Sequence, residues 1–317
     1  GARLIKKWIL MPLVDIARIH ERQDIVDFFI AHTDIQTNLI GELKKIGDIE
    51  RMIAKVPSGK ISPREVVQLK RALQAIEPIK EVMAKSKVAA LEKFADQLNP
   101  CPILIEKLAN ELEEEAPAQL HKSKTIKAGV NGELDELREI STKGKDYLLE
   151  IQQREAEKTG ITSLKIGFNN VFGYFLEVRN THKDRVPETW IRKQTLTAAE
   201  RYITEELKEY EEKILGAQDK IQALENKLFT DLVHYLRDYI QPIQVNGFLL
   251  AQIDCLLSFS LIAEKYNYCR PVIDDSLLID IKEGRHPVIE AQLPAEESYV
   301  PNDIYLNNDD QQIIMIT

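Results

Sequence analysis

Eight residues, Ile203, Leu207, Tyr210, Ile214, Ala217, Ile221, Leu224 and Leu228, follow one another at intervals of 4, 3, 4, 3, 4, 3 and 4. An unbroken heptad seam of this length demands a long helix that pairs with another helix. No proline lies between Ala198 and Gln241, so the helix could extend roughly 60 Å at about 1.5 Å per residue. A second charged, proline-free stretch runs from Glu133 to about Glu157 and carries Leu134, Leu137, Leu148 and Ile151 on one side. The two stretches are expected to be the arms of an antiparallel helix pair. An intermolecular coiled coil of the return arm alone is the alternative, and the preceding arm is the nearer partner.

Between the arms lies Lys165–Tyr202, whose composition matches neither. It holds Gly167, Gly173, Asn169, Asn170, Asn180 and Pro187, and an alternation that sets Tyr174, Leu176 and Val178 against Phe175, Glu177 and Arg179. Such a period of two, bounded by Gly173 and Asn180, predicts a short strand. The stretch counts seven Lys/Arg against four Asp/Glu in a chain whose net charge is −9. A locally basic, β-rich insert at the tip of two helical arms suggests a platform for something anionic. Helix is predicted to resume near Thr195–Thr197.

The remainder reads mostly as helix. Residues 3–30 (broken near Pro12), 35–56, 63 to about 77, 79–97 and 102–115 each carry apolar residues at helical spacing. Ser62, Pro63 and Glu65 form a capping-box signature. Residues 120–132 read as a polar loop or edge hairpin. After Pro242 an apolar helix is expected over about Gly247–Tyr266. From Val272 the texture changes, with short strands predicted at Leu277–Ile281, Val288–Ala291, Ile304–Leu306 and Ile313–Ile316. The fold class is therefore mainly α: a helical core with two long antiparallel lever helices carrying a small β-rich insert, plus a truncated α/β start at the C-terminal end.

Cys101, Cys255 and Cys269 show no CxxC spacing, which argues against a zinc site or disulfide framework and for a reducing compartment. No apolar run approaches about 20 residues, so no membrane span is expected. The opening RLIKKWILMPLVDI mixes charge into its apolar residues and is not expected to be a signal peptide. The chain opens GARL and closes QQIIMIT, which leads to the expectation of a piece cut from a longer protein.

Five ordered motifs, RLIKKWILMPLVDIARIHERQDIVDFF (3–29), GFNNVFGYFLEV (167–178), RKQTLTAAERYITEELKEYEEKIL (192–215), EGRHPVIE (283–290) and YVPNDIYL (299–306), resemble the MutS family of DNA mismatch-repair ATPases. The resemblance covers essentially the whole chain. It implies a core or lever domain over 1–147, a clamp inserted over 148–207, the second part of the core over 208–271 and the N-terminal piece of an ATPase domain over 272–317. The family's mismatch-reading and connector domains have no counterpart here. No GxxxxGK[ST] occurs in the 317 residues, so no ATP hydrolysis and no cofactor are expected of this chain, whereas ATP and Mg would belong to the parent protein. The implied partners are double-stranded DNA (a mismatched duplex for the parent), a MutL-type repair protein and a second copy of the parent.

Phosphate contacts use Lys/Arg and neutral donors and carry little sequence information. Arg179, His182, Lys183, Arg185, Arg192 and Lys193 are the candidates, with Thr195 and Thr197 as neutral donors. The family often has Asn, or Lys-Asn, where this chain has Thr197-Ala198, and Ala198 has no side-chain donor. In the family the segment around YVPND packs beside the nucleotide, which implies Tyr299 and Val300 as walls for adenine with Asn302 close by. His286 in EGRHP has no nucleophile or carboxylate at a supporting spacing and reads as structural. The competing class is a structural or interaction module, a helical lever whose insert binds a protein.

Overall fold

The computed structural model describes residues 1–120, 124–169, 171–294 and 296–315, without the side chains of 144, 145 and 213–215. In chain order the elements are α1 (Ala2–Leu10), α2 (Ile16–Ala31), α3 (Thr33–Ile46), α4 (Ile49–Ile53), α5 (Pro63–Gln74), α6 (Ile76–Ala84), α7 (Ala89–Gln97), α8 (Pro102–Glu111) and α9 (Gly132–Thr159). There follow β1 (Lys165–Asn169), β2 (Gly173–Arg179), β3 (Ile191–Thr195), β4 (Ala199–Ile203), α10 (Glu205–Leu236), α11 (Ile240–Tyr266), β5 (Ile279–Gly284), α12 (Pro287–Gln292) and β6 (Asn302–Leu306). One unit comprises Gly1 and Thr33–Asp254, the other Ala2–His32 and Cys255–Thr317.

In the first unit, helices α3 to α8 bury a core that includes Leu39, Ile53, Leu69, Leu73, Ile76, Met83 and Leu104. Its best-specified boundary is the start of α5. The Ser62 hydroxyl accepts from the Glu65 amide at 3.3 Å, and Glu65 accepts from the Ser62 amide at 3.0 Å. Burial raises the Glu65 carboxyl, but Lys55 and Ser62 outweigh it and hold Glu65 below the usual carboxylate range. Ser62→Ala is expected to cost about 1 kcal/mol in urea unfolding. Because Glu65 titrates low when folded, its contribution is present above the ordinary glutamate pKa of about 4.3 and lost as pH falls through the folded value. The penalty should therefore shrink in acid.

The arms are α9 and α10. They pair antiparallel, with the Tyr147 and Tyr210 rings 4.4 Å apart and the Tyr147 hydroxyl donating to Glu206 at 2.6 Å. The heptad seam holds at Leu207 and Ala217, which are buried, whereas Tyr210, Ile221, Leu224 and Leu228 are half-buried; Ile214 lies outside the described side chains. Toward the base the buried stripe shifts by one position to Glu225, Phe229, Leu232 and Leu236. The shift follows from geometry: a straight helix drifts about 20° per heptad against a 3.5-residue repeat. The shift places a carboxylate, Glu225, in the seam. It accepts from Arg138 of α9 at 2.5 Å and from the Thr125 amide at 3.3 Å.

Several boundaries differ from the sequence reading. The return helix does not begin near Thr195–Thr197 but at Glu205, capped by Thr204, whose hydroxyl accepts from the Leu207 amide at 3.2 Å. Residues 191–203 instead form β3 and β4, because pairing of β4 with β2 and of β3 with β4 satisfies a backbone that the helix-formers of Ala198–Glu200 would otherwise have coiled. The expected helix over 79–97 is two, α6 and α7, separated at Lys87, whose φ is 59°. Helix α6 passes through Pro78 and α11 through Pro242, each in the first turn, where the missing N–H has no partner to lose. The helix expected to reach Glu115 ends at Glu111, and Leu112 bridges Ile126 instead.

In the second unit, Val288–Ala291 is helical rather than extended, with Pro287 at the first position and His286 as its cap. Strands β5 and β6 pair antiparallel. The described part of Ile313–Ile316 contains no strand, and Ile316 lies outside the described residues. The helical run Glu205–Tyr266 contains a window apolar enough by composition to cross a membrane, yet half of that window is buried inside the protein, as in a core helix.

Candidate nucleic-acid interface

The four strands of the insert form one antiparallel sheet in the order β1-β2-β4-β3. Its inner face packs Leu176, Val178, Trp190 and Tyr202 against Leu148 and Ile151 of α9 and Leu207 of α10. This cluster fixes the sheet to one end of the arm pair. The outer side of β2 is not fully solvated either: the Phe175 ring lies between Gly167 and the Arg201 guanidinium, 4.3 Å above it. A Cβ on Gly167 would stand 2.6 Å from that ring, so the close approach of β1 to β2 needs a glycine there.

The two ends of the sheet differ in character. At one end the β1–β2 turn folds back on α10, where Glu211 accepts from the Tyr174 amide at 3.1 Å. Gly173 makes the turn at φ 81°, a left-handed conformation with no room for a side chain beside Glu211. At the other end β2 leads into a 3-10 turn, Asn180–Arg185. The Asn180 amide and side chain donate to the carbonyls of Ala198 and Thr197, both at 3.1 Å. Arg179 ends β2 opposite Ala199, His182 and Lys183 follow in the turn, and Thr197 lies at the Asn180 junction; Thr195, opposite Glu200, is on the other face of the sheet from Arg179. Arg179, Lys183, Thr195 and Thr197 are exposed, and His182 is half-buried. Ala198 contributes its carbonyl to this junction, a role that needs no side-chain donor.

The six basic candidates are not equivalent. Arg185 turns away from the group and donates to the Gly160 carbonyl at 3.1 Å, where it closes the C-terminal end of α9. Arg192 pairs with Glu200 at 3.3 Å. Lys193 sits at the irregularity in the β3–β4 register, between Arg192↔Tyr202 and Gln194↔Arg201. A bulge of this kind re-aims a side chain on an edge strand. Among the described residues, Arg179, Lys183 and Lys193 have no ion pair or side-chain hydrogen bond.

Two residues that the sequence reading did not single out organise this end. Glu200, 9% exposed, accepts from the Tyr202 hydroxyl through one oxygen and from Arg192 through the other. The Tyr202 hydrogen bond, aided by the charges of Arg192 and Lys183, holds the Glu200 carboxyl below the usual range although desolvation opposes it. Burial and Glu200 push the Tyr202 phenol up to about 12. The i,i+2 relation of Glu200 and Tyr202 would have marked a shared strand face, but a helical reading of 195–203 hides it.

In the second unit, His286 Nδ1 accepts from the Ile289 amide at 3.3 Å, which makes it the cap of α12. Arg285 donates to the carbonyls of Tyr266 and Asn267 at 3.0 and 2.9 Å and pairs with Glu290 at 2.8 Å. These roles account for EGRHP as a structural joint. Tyr299 is half-buried, Val300 is 75% exposed and Asn302 opens β6, donating to the Val300 carbonyl at 3.3 Å. No cluster of three His, Cys, Asp or Glu able to hold a metal occurs among the described residues.

Fold and site together define a helical protein in which two long paired arms carry a small sheet with a cationic outer end. The family model for MutS domain III matches residues 1–260, and the chain belongs to the MutS family. It is 57% identical over its whole length to the DNA mismatch repair protein MutS of Parabacteroides distasonis and 55% to that of Phocaeicola vulgatus, covering 36% of each relative. To the MutS of Cytophaga hutchinsonii it is 56% identical and covers 37%. The chain thus spans little more than a third of the relatives it matches.

Proposed function

We propose that this chain is the core, lever and clamp portion of a MutS-type mismatch-repair ATPase, with 1–147 and 208–271 as the core, 148–207 as the clamp and 272–317 as the opening of the ATPase domain. Its task is to grip the duplex backbone without reading sequence and to couple that grip, through the stiff arms, to the ATPase domain. The observation that carries this reading is the set of exposed cations with no ion pair among the described residues, Arg179 at the end of β2, Lys183 in the turn after it and Lys193 at the bulge of β3, with the exposed Thr195 and Thr197 on and just after β3. Phosphate contacts use exposed charge and neutral donors, and the insert supplies both in a chain of net charge −9.

In the parent protein Tyr299, Val300 and Asn302 would wall an adenine, with Mg and the phosphates of ATP held by parts of the protein outside this chain. A MutL-type partner, a homodimeric parent and a cytoplasmic, nucleoid-associated location accompany this reading.

Anisotropy titrations with matched and mismatched duplexes at several salt concentrations test it. Binding is expected in the range of about 10⁻⁴–10⁻⁶ M, the same for both duplexes and weaker with salt. Replacing Arg179, Lys183 and Lys193 together by Ala should reduce the salt slope by nearly 3, about 0.9 for each phosphate left without its cation. An unchanged slope would remove these residues from the interface. Preference for the mismatched duplex would place base reading in this chain, and salt-insensitive capture of a protein with no duplex binding would favour the interaction module.

A further inference from the structure

The basic end of the sheet carries one acidic group that is anchored rather than free. Glu200 lies on the strand shared by β2 and β3, opposite Val178 on one side and Thr195 on the other. The Tyr202 hydroxyl holds one of its oxygens, and Tyr202 is itself packed in the core with its ring 6.0 Å from that of Trp190. The carboxylate therefore cannot swing into solvent without breaking a bond to a buried side chain. Its other oxygen faces Arg192 at 3.3 Å, and the Arg192 side chain is 61% exposed. Of the two partners the arginine is the one free to move.

We propose that Glu200 is a built-in competitor for phosphate at this edge: it holds Arg192 in an internal ion pair, which the guanidinium must leave before it can add to duplex binding. The proposal rests on the reading that this end of the sheet grips a duplex backbone. The salt dependence of such binding counts cations that neutralise phosphates. An arginine already neutralised by a fixed carboxylate adds little to that count, and releasing it leaves Glu200 uncovered beside the incoming phosphate. The grip is thus weaker, by about one neutralised phosphate, than its basic residues suggest. That suits a contact which carries no sequence information and has to be released to be useful along a duplex.

The test is a cycle of four proteins, the unaltered 317-residue chain, Arg192→Ala, Glu200→Gln and the double variant, each titrated with a labelled matched duplex at several salt concentrations. Gln retains an acceptor for the Tyr202 hydroxyl, and circular dichroism checks the fold. Glu188→Gln, at an exposed position in the same insert, makes the same change of net charge. Arg192→Ala alone should leave the slope within error of the original. Glu200→Gln should tighten binding about three- to fivefold at low salt, the range of a surface ion pair, and steepen the slope by about 0.9. Removing Arg192 as well should erase that gain, and Glu188→Gln should give a smaller gain that does not depend on Arg192.

A fall in slope of about one on Arg192→Ala alone would show that Arg192 already grips phosphate and would overturn the proposal, whether or not Glu200→Gln folds. So would a Glu200→Gln gain that survives loss of Arg192, or no gain at all. If the unaltered chain shows no salt-dependent binding, the grip itself fails. If it binds with salt dependence but the cycle shows no coupling, only the competitor role fails.

Discussion

Glu225→Ala is expected to destabilise the unit that contains the arms by about 3–5 kcal/mol, the cost of stripping one partner from a buried ion pair. Glu225 is 4% exposed and sits where the two arms meet the loop at Thr125. Its loss leaves the Arg138 guanidinium with a carbonyl of Ile126 at 2.8 Å and the more distant Asp135 at 3.6 Å. The companion measurement separates charge from packing. Arg138→Met combined with Glu225→Leu removes both charges together and should be neutral or stabilising. Urea unfolding followed by circular dichroism reads both. A loss below about 1 kcal/mol for Glu225→Ala, the range of an exposed pair, would mean that the arms are not closed around these residues.

Leu176→Ala is expected to cost about 2–5 kcal/mol and to loosen the insert before the rest of the chain. Leu176 is fully buried on β2, a central strand paired to both β1 and β4. The cluster it belongs to is the only one that joins the sheet to Leu148, Ile151 and Leu207 of the arms among the described residues. Phe168→Ala, half exposed on the edge strand, is the comparison and should cost far less. Hydrogen exchange resolves the location: Leu176→Ala should speed exchange in Lys165–Ile203 while leaving α5 and α6 protected. Uniform loss of protection throughout the unit would show that sheet and bundle unfold as one.

Both variants test features that the sequence presents unequally. The alternation of β2 was legible because a strand with one face on the arms must place Leu176 and Val178 inward. The arms were legible from the heptad and from the absence of proline. The seam's exact course was not: a 3.5-residue repeat and a 3.6-residue helix part company over several turns, and that drift moves burial from Leu224 and Leu228 to Glu225 and Phe229. Thr195–Ile203 was misread for a related reason. Its Ala, Glu and Arg favour helix locally, and only pairing with β2, set by residues about twenty positions earlier, makes it a strand.

The sequence by itself determined that this is a mainly helical chain with two paired arms and a basic insert between them. It also marked which side chains could meet an anion, because charge, periodicity and turn residues are local properties. Tertiary structure alone decided which cations are available. Arg185 was drawn to the end of α9 and Arg192 to Glu200, while Arg179, Lys183 and Lys193 were left exposed with no ion pair among the described residues. The physical reason is that a cation's availability depends on the nearest unsatisfied acceptor in space, and strand pairing brings such acceptors from elsewhere in the chain.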